Sequence, residues 1–300
     1  CRPRREDALP AVRLMKGLFR TILLLVAASV SLGVGVAVAQ PNGANGVAAT
    51  KPAAASLPFK TGETLTYEGK LNKIIRGISV AELTFTVGET TDGSDFLINA
   101  EARSKGTLLK LFRFSFLQKI DTTVERDGFY AQRTVKHDVQ KDRVRDSEAY
   151  FDYTERRVTY VETDPKEPMR PPRRIASDLE SEAHDLVSAI YSLRLRPMKV
   201  GDAFMVPVSD SGLVYYVPVR VTAREQQKTI FGKVWCFRVE PDIFGPERMI
   251  EREGSMEIWI TDDARRIPVR SRVKSNFGTL EIRLREAANT LPAKAERASK

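Results

Sequence analysis

The segment Met256–Val273 places the strongest constraint on the fold, because it has the pattern of a complete β-hairpin. Ile258 and Ile260 alternate with other residues before a polar centre, and Ile267 and Val269 do so after it. A turn tip at Asp263 and Ala264 predicts four cross-strand pairs: Ile260 with Ile267, Ile258 with Val269, Trp259 with Pro268, and Glu257 with Arg270. The apolar pairs then share one face and the charged pair lies on the other, as in a half-buried antiparallel sheet.

Alternating apolar and polar residues recur along the chain after residue 57. We predict further strands at 64–67, 81–87, 96–103, 119–125, 129–137, 143–153, 156–162, 203–208, 213–222, 228–231, 234–240 and 277–285. Residues 107–117 fit either a short helix or a strand. Many short strands joined by turns predict a mainly β fold, either a single curved antiparallel sheet or an open half-barrel.

One amphipathic helix is predicted at Asp185–Leu195, packed on this sheet. Asp185 can cap its N-terminus, and Arg194 and Arg196 suit its C-terminal end. Its predicted apolar face is formed by Leu186, Ile190 and Leu193. Residues 164–174 contain four prolines, which remove ladder donors, so they are predicted to form a loop.

The first 39 residues have the features of an export signal. Met15 is followed by the basic residues Lys16 and Arg20, an apolar stretch, and a small-x-small site ending at Ala39. We expect the true start to be Met15 and the signal to be cleaved, which predicts a periplasmic protein that contacts the membrane only before cleavage. The alternative is an uncleaved anchor in the inner membrane, since residues 21–39 are nearly long enough to span a bilayer.

The remaining chain divides by composition. Residues 40–57 are small, rich in alanine and without periodicity, which predicts a flexible linker. Residues 58–286 fit one mostly-β domain, and a division into two domains at 164–174 is the alternative. Residues 287–300 form a polar tail.

Charge and cysteine content exclude several classes of protein. The formal net charge is +9, but residues 1–39 contribute six basic and two acidic side chains to it. The rest is mildly basic with interspersed signs, so no nucleic-acid partner is expected. After residue 39 the only cysteine is Cys236, in an apolar strand, where it is expected to be a small buried side chain.

Motifs of catalysis and metal binding are missing from the sequence. It contains no G-x-S-x-G elbow, Walker loop or zinc-ligand spacing, and we expect no metal and no cofactor. Asp262 and Asp263 are adjacent on one turn and are interpreted as residues that bond their own backbone. An envelope hydrolase acting on glycan or ester would need His184, Asp185 and a serine within hydrogen-bond reach.

Three groups of residues, together with Gly77 and Val80 at a strand entry, resemble a bacterial exported family catalogued as domain of unknown function 3108. The closing motif is the most specific and includes Trp259, Asp262, Asp263, Arg266, Pro268 and Arg270. The others are Gly62-Glu63-x-Leu65-x-Tyr67 and the helix segment from Asp185 to Arg194. The resemblance implies an envelope protein with a mostly-β fold and no assigned activity. It implies no catalytic residue, and we interpret the closing motif as structural.

The sequence favours a binding or assembly factor over an enzyme. Apolar side chains exceed what one short helix can cover, and the candidate face for a lipid or an envelope-protein segment is formed by Phe112, Phe114, Phe116, Tyr215, Val217 and Val219. The same residues would equally suit a filled hydrophobic core. Trp259, facing Pro268 across the hairpin, is expected to pack inside the fold.

Overall fold

The computed structural model describes residues 57–72, 77–106, 110, 114–276 and 278–293. The predicted signal segment, and most of the linker, lie outside these ranges. The strands are β1 (Thr64–Asn72), β2 (Ile78–Glu89), β3 (Phe96–Ser104), β4 (Phe116–Val124), β5 (Ala131–Gln140), β6 (Arg143–Asp152), β7 (Arg157–Thr163), β8 (Arg173–Asp178), β9 (Ala203–Asp210), β10 (Leu213–Thr229), β11 (Gly232–Pro241), β12 (Gly254–Thr261), β13 (Pro268–Ser275) and β14 (Gly278–Ala288). Helix α1 (Leu186–Leu195) connects β8 to β9. No helix among the described residues is both long and apolar enough to cross a membrane.

All fourteen strands form one antiparallel sheet, which confirms the predicted fold class. Their order is β8-β7-β6-β5-β4-β3-β2-β1-β14-β13-β12-β11-β10-β9. Paired strands are therefore consecutive in sequence except for β1 and β14, whose pairing joins two meandering arms at the centre of the sheet. Strands on both sides of the 164–174 loop belong to this same sheet.

The sheet is curved, so the ends of its two arms approach each other. The β9–β10 turn packs against β7 and β8, where a Cβ atom on Gly212 would lie 2.6 Å from the Tyr160 Cβ. Gly212 also has a φ of +83°, so both the contact and the backbone require glycine. His184 adds a short bridge, since its N–H donates to the Pro207 carbonyl of β9 at 2.9 Å. The half-barrel remains open, because β8 and β9 occupy the two ends of the sheet order.

The core lies on the concave face, where alternate side chains are buried along the central strands β1, β3, β4 and β14. In β1 these are Leu65, Tyr67 and Leu71, and β14 supplies Leu280, Ile282 and Leu284. Helix α1 packs into the same core, and the ring of its Tyr191 contacts Phe59 edge-on at 5.2 Å. This aromatic contact and the surrounding aliphatic burial tie the helix to the inner side of the sheet.

The predicted register of the hairpin is wrong by one residue at the turn and by a second residue at a bulge. Ile260 pairs with Pro268 and Trp259 with Arg270, so Val269 is the extra residue on β13. Proline has no N–H to give to the ladder, which explains a bulge at this point. Glu257 does not pair with Arg270 as predicted. It forms an ion pair with Arg272, in which Arg272 Nη1 and Glu257 Oε2 are 3.2 Å apart.

The helix is confirmed, but its predicted apolar face is only partly right. Asp185 is the N-cap and accepts the Ser188 N–H at 2.8 Å. Leu193 is buried, whereas Leu186 and Ile190 are partly exposed. Tyr191 and Arg194 are buried instead, because Arg194 finds an ionic partner in the core.

Three predicted boundaries shift. Strand β8 begins inside the predicted 164–174 loop, β10 continues into the segment predicted as a separate strand at 228–231, and β14 runs into the predicted tail. Of the ambiguous segment 107–117, residues 107–109 and 111–113 lie outside the described residues.

Candidate functional site

The three sequence motifs converge on one buried ion pair between Arg194 and Glu63. Glu63 precedes β1 and is 0% exposed, and Arg194 lies in the last turn of α1 and is 1% exposed. Arg194 Nη2 donates to Glu63 Oε2 at 2.9 Å, to the Pro58 carbonyl at 3.1 Å and to the Arg265 carbonyl at 3.0 Å. One guanidinium thereby joins the chain before β1, the helix, and the β12–β13 turn.

Aromatic rings surround this ion pair. The guanidinium carbon of Arg194 is 5.1 Å from the ring centroids of both Phe59 and Tyr191. Burial opposes the charge on Arg194, but the hydrogen bonds that the guanidinium donates to Glu63 hold its pKa above the ordinary value. Burial also raises the pKa of Tyr67 and Tyr191 well above that of a free phenol, so both hydroxyls stay protonated.

The closing motif shapes the turn that supplies the Arg265 carbonyl. Asp263 accepts the backbone N–H of Arg265 at 2.9 Å and the hydroxyl of Thr261 at 3.0 Å, and pairs with the Arg265 guanidinium. Burial works against ionisation of Asp263, but the hydrogen bonds of Arg265 lower its pKa. Asp262 pairs with Arg224 at 2.7 Å. The acidic pair thus organises the turn and its neighbours.

The remaining motif residues lie at the end of this turn and on β13. Arg266 follows it with a φ of 45°. Pro268 is buried on β13, and Arg270 forms an ion pair with Glu281 while its guanidinium carbon lies 4.5 Å from the Trp259 ring centroid. The residues of the closing motif therefore contribute to the structure of the hairpin. One polar atom stays unsatisfied, because Arg266 Nη1 is buried with no hydrogen-bond partner among the described residues.

An apolar recess opens between α1 and the concave face of the sheet. It encloses about 70 Å³ and is lined by Leu65, Tyr67, Leu83, Phe85, Ile190, Tyr191, Arg194, Met256, Ile258, Pro268, Ser271 and Ile282. Phe85, Ile190 and Ser271 are partly exposed, so the recess communicates with solvent. Three of its polar atoms are buried without a hydrogen-bond partner among the described residues: Tyr191 Oη, Arg194 Nε and Ser271 Oγ.

A match to a family model covers residues 64–285 of this chain and carries the description "Protein of unknown function (DUF3108)". The chain belongs to this family. Arg194 and the whole closing motif lie within the matched residues, and Glu63 directly precedes them. No curated protein matches the chain.

The DUF3108 chain also resembles a solved structure, the crystal structure of a beta-barrel-like protein of the domain of unknown function DUF1849 from Brucella abortus. The two chains are 10% identical and superpose with a TM-score of 0.51, over 77% of this chain and 98% of the other. At this identity the likeness concerns the fold alone. It agrees with the open, barrel-like curvature of the sheet.

The described residues of the predicted ligand face do not line the recess. Phe116, Val217 and Val219 are buried in the core, and Phe114 and Tyr215 are partly buried and pack against it. Phe112 lies outside the described residues. Packing within the fold therefore covers most of the apolar side-chain surface of the described members of this face.

A second, polar cavity of about 40 Å³ lies beside the N-terminal end of α1 and was missed by sequence reasoning. Lys136 and Asp210 line it, with no ion pair between them within 4 Å. Burial lowers the pKa of Lys136 and raises that of Asp210 to about 7. The alternation of residues in β5 favours the wrong face. Val135 and Val139 alternate with Lys136 and Asp138, which predicts that the valines face inward, but the polar side chains do so instead.

Replacing Asp210 with asparagine should make stability less dependent on pH. The folded carboxyl holds its proton up to about pH 7, whereas the unfolded one loses it near pH 3.8, so folding stability falls as pH rises between these values. Asp210→Asn should remove that loss, and at pH 8 its free energy of unfolding should exceed that of the unsubstituted protein by on the order of 2–4 kcal/mol. Urea melts from pH 4 to 8 measure the free energy of unfolding at each pH.

The control for this variant is Asp127→Asn at an exposed turn, which changes net charge equally. Besides burial, the groups that influence the pKa of Asp210 are Lys136, Ser211, Asp185 and Arg173. An Asp210→Asn variant that loses stability as pH rises in parallel with the unsubstituted protein would contradict the assignment.

The residues considered for a hydrolase do not assemble into a catalytic group. Asp185 Oδ1 accepts the Ser188 hydroxyl at 2.6 Å, but this bond belongs to the helix cap. His184 Nδ1 has no hydrogen-bond partner among the described residues, and burial lowers its pKa to about 4. Burial raises the pKa of the Cys236 thiol to about 12, which makes it a poor nucleophile.

Proposed function

We propose that this chain is an exported, non-enzymatic binding protein that holds the end of a single acyl chain in the recess between α1 and the sheet. The observation that carries the proposal is the composition of the recess, whose lining is apolar except at Tyr67, Tyr191, Arg194 and Ser271. Ligand sites commonly combine a hydrophobic lining with a few such polar groups. The proposed export rests on the signal pattern after Met15.

The size of the recess limits how the ligand would bind. Its 70 Å³ equals about two water volumes at ~30 Å³ each, well below the ~300 Å³ of a typical site for a whole small molecule. Only the end of a chain, or a short part of it, fits the enclosed space. The remainder would lie along the open side, where Phe85 and Ile190 are partly exposed.

A polypeptide segment fits this position less well than an acyl chain. The strands that line the recess are β1, β2, β12 and β13 with β14, and each is paired on both sides within the sheet. No free strand edge is therefore available to bond the N–H and C=O groups of an incoming backbone. An acyl chain carries no such groups to satisfy.

Filling the recess should abolish binding while leaving the fold intact. We expect Ser271→Leu to reduce acyl-chain binding at least tenfold, since the new side chain occupies the enclosed space. No hydrogen bond is lost at Ser271 Oγ, and the larger side chain should cost about 1–3 kcal/mol of stability. Lys274→Leu adds the same side chain to an exposed position on the same strand and should bind normally.

The measurement is native mass spectrometry of delipidated protein incubated with palmitate, monopalmitoylglycerol and lysophosphatidylglycerol. Binding of any of these, lost in Ser271→Leu and kept in Lys274→Leu, would support the proposal. Binding of none, or equal binding by both variants, would overturn it. Protein isolated from its native envelope gives a second reading, because repeated absence of co-purifying lipid would also count against lipid binding.

A further inference from the structure

The polar atoms of the recess restrict what kind of group an acyl ligand can carry next to its chain. This inference rests on the proposed function and deepens it. Arg194 Nε–H can only donate a hydrogen bond, whereas the hydroxyls of Tyr191 and Ser271 can donate or accept. All three atoms are buried, and none has a partner among the described residues. Because a buried donor without a partner is costly, these atoms point to an acceptor supplied by a ligand.

The charge of the site argues against an ionised acceptor. Arg194 is already bonded through Nη1 and Nη2 to Glu63, so its positive charge is compensated inside the protein. A carboxylate entering the recess would lie close to the Glu63 carboxylate with no free cation of its own. Burying an unpaired charge in apolar surroundings is far more costly than burying a neutral polar group.

The other nearby titratable groups do not change this balance. Tyr67 and Tyr191 both line the recess, and burial raises the pKa of each, so each hydroxyl is neutral. No lysine or histidine lines it, and its remaining described lining residues are apolar apart from Ser271. A neutral acceptor with two lone pairs, such as a carbonyl oxygen, matches the available donors.

We propose that the recess selects acyl esters or amides over free fatty acids, with Tyr191 and Arg194 as the residues that recognise the acyl carbonyl. The carbonyl oxygen accepts from the Nε–H of Arg194 and the hydroxyl of Tyr191, and the chain beyond it follows the apolar wall. Tyr191 is the residue whose contribution can be separated from folding. Its hydroxyl makes no hydrogen bond within the described chain, whereas Arg194 holds three segments together.

Three ligands with the same twelve-carbon chain isolate the carbonyl. Monododecanoylglycerol carries an ester carbonyl, 1-O-dodecylglycerol is an ether with a methylene group in place of that carbonyl, and dodecanoate carries a full negative charge. We expect titration calorimetry below the critical micelle concentrations to show the ester bound about fivefold to tenfold more tightly than the ether, the ratio that one hydrogen bond provides. Dodecanoate at pH 8 should bind more weakly than the ester.

Tyr191→Phe is the decisive variant. It should keep the melting temperature, because it removes a hydroxyl with no partner, and should bring ester affinity to within about twofold of the ether. Equal affinity for ester and ether in the unsubstituted protein, or tighter binding of dodecanoate, would overturn the inference while leaving acyl-chain binding in place. A preference that survives Tyr191→Phe would overturn the role of Tyr191. Failure of all three ligands to bind would instead contradict the proposed function.

Discussion

Replacing Arg194 with methionine should lower the free energy of unfolding by about 3–5 kcal/mol, the typical cost of removing one partner from a buried ion pair. Methionine keeps an unbranched apolar stem but leaves the Glu63 carboxylate, 0% exposed, without its cation. The Pro58 and Arg265 carbonyls lose a donor at the same time. Since a domain is stable by only about 5–15 kcal/mol, thermal melts should show a large fall in the melting temperature.

Arg285→Met is the matched control, because Arg285 pairs with Glu68 on the surface with its side chain 45% exposed. Such pairs contribute about 0–1 kcal/mol. The double variant Arg194→Met with Glu63→Gln should recover part of the loss by removing the buried charge. Equal melting temperatures for the two single arginine variants would show that the Arg194–Glu63 pair does not hold the fold together.

The course of the fold could be predicted because nearly all paired strands are consecutive in sequence. Each arm of the sheet is a meander, so alternating residues and turns identify successive neighbours. The pairing of β1 with β14 brings together the two ends of the domain, and no local pattern indicates it. The bulge at Val269 was not predicted for a different reason. It arises because Pro268 lacks an N–H donor, and the alternation of apolar residues does not show this.

The candidate site could not be predicted in the same way, because its residues are distant in sequence. Arg194 looks like a favourable charge at a helix end until Glu63, 131 residues earlier, is brought against it. The apolar side chains of Phe116, Val217 and Val219 pack in the core, and the recess is formed by other strands. Periodicity identifies which side chains alternate, but it does not tell where packing leaves a gap.

Trp259→Ala should also cost about 3–5 kcal/mol, the usual range for truncating a large buried aromatic side chain. Trp259 is 2% exposed although it lies on the face of β12 opposite Ile258 and Ile260. The guanidinium carbons of Arg270 and Arg272 lie 4.5 and 5.2 Å from its ring centroid. Its indole N–H donates to Glu225 Oε1 on β10. Truncation therefore removes ring packing, two cation–π contacts and a hydrogen bond together.

The control for Trp259→Ala is Trp235→Ala, because the chain has two tryptophans and Trp235 is 38% exposed. Its truncation should cost about 1–2 kcal/mol, the range of a partly buried substitution. Asp263→Asn should cost about 1 kcal/mol, since asparagine keeps the turn acceptor but loses the charge that pairs with buried Arg265. Chemical denaturation of the three variants ranks these effects. A Trp259→Ala protein as stable as Trp235→Ala would mean that the indole is held for a partner and contributes little to the fold.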